Sequence, residues 1–248
     1  MGWTGKIMGG VIGGLFGGPL GAVLGATAGH FAMDRGESNS SVNISSLEQR
    51  QAAYFVALFS MLAKMAKADG VISKEEIAVI DDFMKNQIQL SGESLQFARD
   101  IFREAKQSPH TFEQFAAQFA EINPDSNLLN SMLDLLFSVA ASDKKLHPEE
   151  LRLLKSAKEI WNIPEQLFQS MQEQYFPTTV ADRYYAVLHC TAHSSDAEIK
   201  RQYRKMVTDY HPDKIVSKGL PEEFVELASK KFREIQEAYE KIREIRGF

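Results

Sequence analysis

Cysteine is nearly absent. Cys190 is the single one in 248 residues, so no disulfide framework can be built within the chain. That usage suits a reducing compartment. Excess positive charge is lacking too: the net charge is −5, which leaves no general nucleic-acid footprint. The alternating Val-Thr-Tyr pattern of strands is scarce, so everything after about residue 45 reads as all-α. No nucleophile–base arrangement stands out. No glycine run ends in the Gly-Lys-Ser/Thr of a phosphate loop. The chain is therefore not expected to be an enzyme. Glycine is sparse over most of the length, yet nine of the sixteen lie between Ile7 and Met33.

That same stretch lacks any Asp, Glu, Lys or Arg for 27 residues. About 20 apolar residues suffice to cross a bilayer. A helix in lipid satisfies its own backbone, so glycine is tolerated there better than in water. Gly9, Gly13, Gly17, Gly21, Gly25 and Gly29 recur at every fourth position. On a helix they share one face, where a second helix can approach closely. The reading is a glycine-zipper transmembrane helix over residues 1–34 that pairs two copies into a homodimer. Val11, Ile12, Leu15, Phe16, Leu20, Val23 and Leu24 would supply bulk for lipid contact. Trp3 sits at one end, as interfacial aromatics do. A flexible tail would carry Ser, Asn or charge, which this stretch does not. A cleaved signal peptide is the stronger rival, with Lys6, an apolar run and small residues at Ala26–Ala28. Residues 35–47 follow as a polar linker. Its Asn39 and Asn43 triplets read as chance matches to the glycosylation pattern.

Residues 48–176 hold two similar segments, "AKADGVISKEEIAVI" (66–80) and "AASDKKLHPEELRLL" (140–154). Each ends one helix, turns and starts another. Ser73 and Glu76 have capping-box spacing, and Pro148 has the first-position preference of a new helix. The apolar stretches 51–68 and 128–142 occupy matching places ahead of the turns. Phe112, Phe115, Phe119 and Ile122 form a core stripe. The expectation is a bundle of about six or seven helices. The paired turns resemble those of the TerB family, named from tellurite-resistance proteins. The resemblance implies a metal site at Asp69, Glu76, Asp143 and Glu150, whose oxygens suit a hard divalent cation. The competing reading makes Glu76 and Glu150 helix-start carboxylates. No other cofactor is expected.

After a short linker (177–182), residues 183–248 carry the strongest signal. "SSDAEIKRQYRKMVTDYHPDK" (194–214) precedes "KKFREIQEAYEKI" (230–242). Ser195 and Glu198 have capping-box spacing. Ile199, Tyr203, Met206 and Tyr210 recur at helical spacing, as do Ala228, Phe232, Ile235, Tyr239 and Ile242. Two such stripes predict an antiparallel helical hairpin. Pro212 stops the first helix and biases His211 away from α geometry. His211 and Asp213 should thus stand at the tip. Glu226–Lys230 and Glu237–Lys241 have the spacing of surface ion pairs. "HCTAH" (189–193) brings His189, Cys190 and His193 close in sequence, but zinc wants four ligands and no second pair is near.

A basic amphipathic helix, then His-Pro-Asp, then an F-x-x-I-x-x-A-Y helix resembles the J-domain of DnaJ-type co-chaperones. The resemblance implies a DnaK-type heat-shock ATPase as partner. It assigns the docking surface to His211, Pro212, Asp213, Lys200, Arg201, Tyr203, Arg204, Lys205 and Phe232. Asp213 would engage an arginine of the partner and trigger its hydrolysis. His189 falls where the family usually has a helix-ending glycine, so it must adopt left-handed geometry. The loop continues as "IVSKGLPEEF" (215–224), longer than in many J-domains. That insertion and the final "RGF" resemble the DjlA group of membrane-anchored J-proteins. The group's order of membrane segment, TerB-like region and J-domain matches nearly the whole chain. Its linker before the J-domain is commonly long, so the short one here should hold the J-domain close to the bundle. The expected protein is a single-pass inner-membrane co-chaperone of a bacterium, with both helical domains cytoplasmic. The alternative is a stress- or metal-responsive scaffold in which the J-domain is a tether.

Overall fold

The structure is a computed structural model that describes residues 17–35, 45–68 and 74–248. Side chains are described throughout these ranges except at 28–35 and 74–76. All regular elements among them are helical, as the pattern predicted. Helix α1 spans Gly18–Arg35. The bundle follows as α2 (Ser46–Met65), α3 (Lys74–Asp82), α4 (Gly92–Gln107), α5 (Phe112–Ile122), α6 (Ser126–Ala140), α7 (Pro148–Ile160) and α8 (Glu165–Tyr175). The C-terminal domain holds α9 (Val180–Val187), α10 (Asp196–Asp209), α11 (Pro212–Lys218) and α12 (Val225–Arg246).

Helix α2 is the axis of the bundle. It starts earlier than its apolar run, because Ser45 and Glu48 close a capping box ahead of it. From Gln51 to Met65 every residue but Lys64 is buried. A helix apolar on all faces must be surrounded, and α1, α4, α5, α6 and α7 pack around it. The aromatic stripe of α5 forms as expected: Phe112, Phe115 and Phe119 are buried and Ile122 packs beside them. Thr111 and Gln114 cap that helix reciprocally. Pro148 opens α7, as its preference predicted. The Ser73 cap falls outside the described residues.

The C-terminal hairpin also forms. Ile199 and Met206 of α10 face Ile235 and Ile242 of α12 in the buried seam. Tyr203 and Tyr239 stack with ring centroids 3.9 Å apart. Three expectations need correcting. Thr179 caps α9 at Val180, so the helix starts inside the stretch read as linker. Glu226 pairs with Arg233 and Lys241 with Glu244, in place of the predicted i,i+4 partners. Ser195 accepts from the Glu198 amide at 3.2 Å, which is one half of the expected box.

The largest departure concerns the glycine-rich helix. Leu20, Val23, Leu24 and Thr27 are buried at 0–2% exposure, and α1 packs on α2, α4 and α5. The three apolar side chains read as lipid-facing thus contact the bundle in this structure. Burying each is worth about 1.5–3 kcal/mol, which suffices to hold a short helix against an apolar groove. Gly21 is buried with them, Gly25 is half-buried and Gly17 is exposed. Gly29 lies in α1. Gly9 and Gly13 lie outside the described residues.

Candidate functional site

The loop between α10 and α12 is set by its proline. Tyr210 closes α10, and His211 takes an extended conformation (φ −61°, ψ 126°). Pro212 then opens α11 at the position where its missing N–H costs nothing. The His211 ring stands edge-on to Phe232 of α12, centroids 5.8 Å apart, which fixes the loop on the hairpin. Lys214 pairs with Asp209 at 3.2 Å across the turn. Asp213 is exposed in the first turn of α11, and no hydrogen bond or ion pair among the described residues engages its carboxylate.

Beside this tip, α10 presents its cations. Arg201, Arg204 and Lys205 are exposed. Lys200 lies over the Phe248 ring, 4.4 Å from its centroid, so the C-terminal residue supports one end of the basic face. Arg204 Nε donates to the Lys200 carbonyl. Tyr203 is held by its stack on Tyr239. The structure therefore gathers His211, Pro212, Asp213, Phe232 and the four cations on one domain, open to solvent with the bundle in place.

No local pattern signals what the long loop does after Lys218. Gly219 has φ +129°, and a Cβ there would lie 3.0 Å from Arg50 Cβ, so only glycine fits. Its conformation turns Leu220 and Phe224 inward, where both are buried. The Phe224 ring meets Tyr54 and Phe55 of α2 edge-on, at 5.6 and 6.2 Å. Gln51 Nε2 donates to the Leu220 carbonyl at 3.2 Å. Two ion pairs flank the wedge: Lys218–Asp125 at 3.0 Å and Lys231–Asp134 at 2.9 Å. Both side chains of the second pair are about 10% exposed, and Lys231 also lies over Tyr175. Burial would raise the Asp125 carboxyl, but Lys218 and the amides of the α6 N-terminus outweigh it and hold it below the carboxylate range. The loop that carries His-Pro-Asp is thus rooted in the core of the middle domain.

His189 adopts the left-handed conformation, φ 52°, as its place at the end of α9 required. Cys190 is buried and donates weakly to the Leu188 carbonyl. Of the acidic turn residues, Asp143 sits 3.1 Å from His147 Nε2, and Glu150 accepts from the His147 amide at the start of α7. Asp69 lies outside the described residues. Glu76 lies in α3, its side chain not described. Among the described residues no group of three or more His, Cys, Asp or Glu side chains could hold a metal ion.

A two-helix hairpin with His-Pro-Asp at its tip beside a basic helix face defines a J-domain, the module of co-chaperones. Comparison with known proteins agrees: the DnaJ domain matches residues 183–245. The tellurite resistance protein TerB family matches 55–173, and the co-chaperone DjlA transmembrane domain matches 1–40. The co-chaperone protein DjlA of Photobacterium profundum is 35% identical over 86% of this chain and 85% of its own length. That of Vibrio parahaemolyticus is 32% identical over 82% and 81%, and that of Aliivibrio fischeri 35% over 98% of each. No solved structure matches. The chain belongs to the DjlA co-chaperone family. It is a membrane-anchored J-domain co-chaperone, a regulator and not itself a catalyst. Among the described residues no helix is long and apolar enough to cross a membrane; description of the apolar run begins at Gly17, ten residues after its start.

Proposed function

We propose that this protein recruits a DnaK-type heat-shock ATPase to the inner face of a bacterial inner membrane and stimulates its ATP hydrolysis. A single pass formed by the glycine-rich segment anchors it, and both helical domains lie in the cytoplasm, where ATP and the partner are. Two copies pair through the glycine face in the bilayer. The observation that carries the reading is the open tip: Asp213 is exposed and unengaged among the described residues, next to an exposed basic face. Arg201, Arg204 and Lys205 steer an acidic patch of the partner, since complementary charge speeds and orients encounter. The Asp213 carboxylate then engages an arginine of the partner. His211 holds the loop by its contact with Phe232.

The test is single-turnover ATP hydrolysis by DnaK with and without this protein. His211→Gln should lower stimulation at least tenfold, with helical content and unfolding temperature unchanged. Equal stimulation by the two proteins would overturn the reading. Raising salt from about 50 to 500 mM should weaken stimulation by the unaltered protein, because exposed charges are screened.

A further inference from the structure

We propose that the groove between α2, α4 and α5 is a binding site for an apolar helix, and that its occupant away from a bilayer is this chain's own residues 18–27. The site is built for a helix N-terminus. The Gln118 side chain of α5 meets the first turn of α1 with both ends of its amide. Its Oε1 accepts from the Leu20 N–H at 2.8 Å, and its Nε2 donates to the Gly17 carbonyl. One turn of the helix is thus read through its backbone, which a purely apolar slot would not do. Below this clamp Leu20, Val23, Leu24 and Thr27 form an i, i+3, i+4, i+7 ridge, fully or nearly fully buried. Thr27 returns its hydroxyl to the Val23 carbonyl at 2.8 Å, so the ridge buries no unpaired hydroxyl. Ala22 and Ala26 on the opposite side stay exposed.

This docking excludes spanning by the same segment. The charge-free run covers residues 7–33. With residues 20–27 in the groove, only 7–19 lie ahead of the docked ridge. As a complete helix those thirteen residues would reach about 20 Å, at roughly 1.5 Å each, against a hydrocarbon core of about 30 Å. The anchor is either in the membrane or on the bundle. Gly21 is buried in the docked form, so the groove also removes part of the glycine face from pairing with another anchor. Insertion therefore empties the groove and frees that face together.

Hydrogen exchange on the full chain tests this, in buffer and after binding to vesicles of phosphatidylethanolamine and phosphatidylglycerol. Peptides from α4 and α5 should be protected in buffer and exchange at least several-fold faster on vesicles that the protein demonstrably floats with. Unchanged protection on vesicles would overturn the exclusive docking. Protection in buffer that rises with protein concentration would assign the groove to a second copy's helix and overturn the intrachain assignment. Gln118→Ala provides an independent measure, because Gln118 lies outside the anchor. It removes two hydrogen bonds from the docked form alone and should shift partition toward vesicles by about tenfold. Unchanged partition would overturn the role of the clamp.

Discussion

His189 combines two costs at one position. Its left-handed φ of 52° costs a residue with a Cβ about 1 kcal/mol. Burial pushes its imidazole down to about 3, with Lys231 and Lys205 adding to the effect. The folded value lies below the unfolded one of about 6.5. The unfolded chain therefore binds the extra proton, and stability falls as pH drops from about 6.5 toward 3. His189→Gly removes both costs and adds glycine's chain entropy, which is comparable in size to the backbone strain. At pH 7.5 the variant should match the parent. At pH 5 it should be more stable by about 1 kcal/mol or more, seen as a higher urea midpoint. An equal difference at the two pH values would show that the imidazole does not titrate in this way. The backbone half of this was legible, since the J-domain resemblance puts a helix-ending glycine at the place of His189. The protonation half was not, because burial and the charges of Lys231 and Lys205 act on the imidazole only once the chain has folded. Cys190 next to it is pushed up to about 11 by burial and the nearby Glu198, which leaves the single thiol unreactive in the folded protein.

At the scale of elements, the extension of the His-Pro-Asp loop is a wedge between domains. Phe224 is fully buried against α2, and its removal should cost about 3–5 kcal/mol. The hairpin seam of Ile199, Met206, Ile235 and Ile242 does not include it. Phe224→Ala should therefore split unfolding into two calorimetric transitions, the bundle and the J-domain melting separately. A single transition at lower temperature would mean that the two domains share one core without a separable junction. The extra loop length was visible in the sequence, but its partners were not. Gln51, Tyr54, Phe55, Asp125 and Asp134 lie some ninety to 170 residues earlier in the chain, and no local pattern links them to Leu220 or Lys231. The surface pairs misread on α12 have a similar cause. Spacing makes Lys230 and Lys241 available to the glutamates, but Arg233 and Glu244 also lie within reach, and rotamers decide among them.

At the scale of the molecule, the J-domain is carried on the bundle rather than swung on a tether. Helix α9 packs on α8 and on α12, the wedge enters α2, and two ion pairs flank it. The working tip is consequently held at a fixed place relative to the bundle. The proposed pairing of two anchors belongs to this scale. Gly17→Leu with Gly21→Leu should abolish dimerisation in membranes, measured by energy transfer between labelled copies, and unchanged transfer would remove the pairing. Sequence by itself determined the helical class, the three regions in order, the aromatic stripe of α5, the helix start at Pro148, and the extended His211 before Pro212. Each rests on periodicity, capping or proline geometry, which act over a few residues. Tertiary structure decided where the J-domain sits, what the K-G-L-P extension is for and where Leu20, Val23 and Leu24 go. An apolar ridge states only that it must leave water. Whether lipid or a protein groove receives it depends on a surface assembled from three other helices, and that surface exists only after the chain has folded.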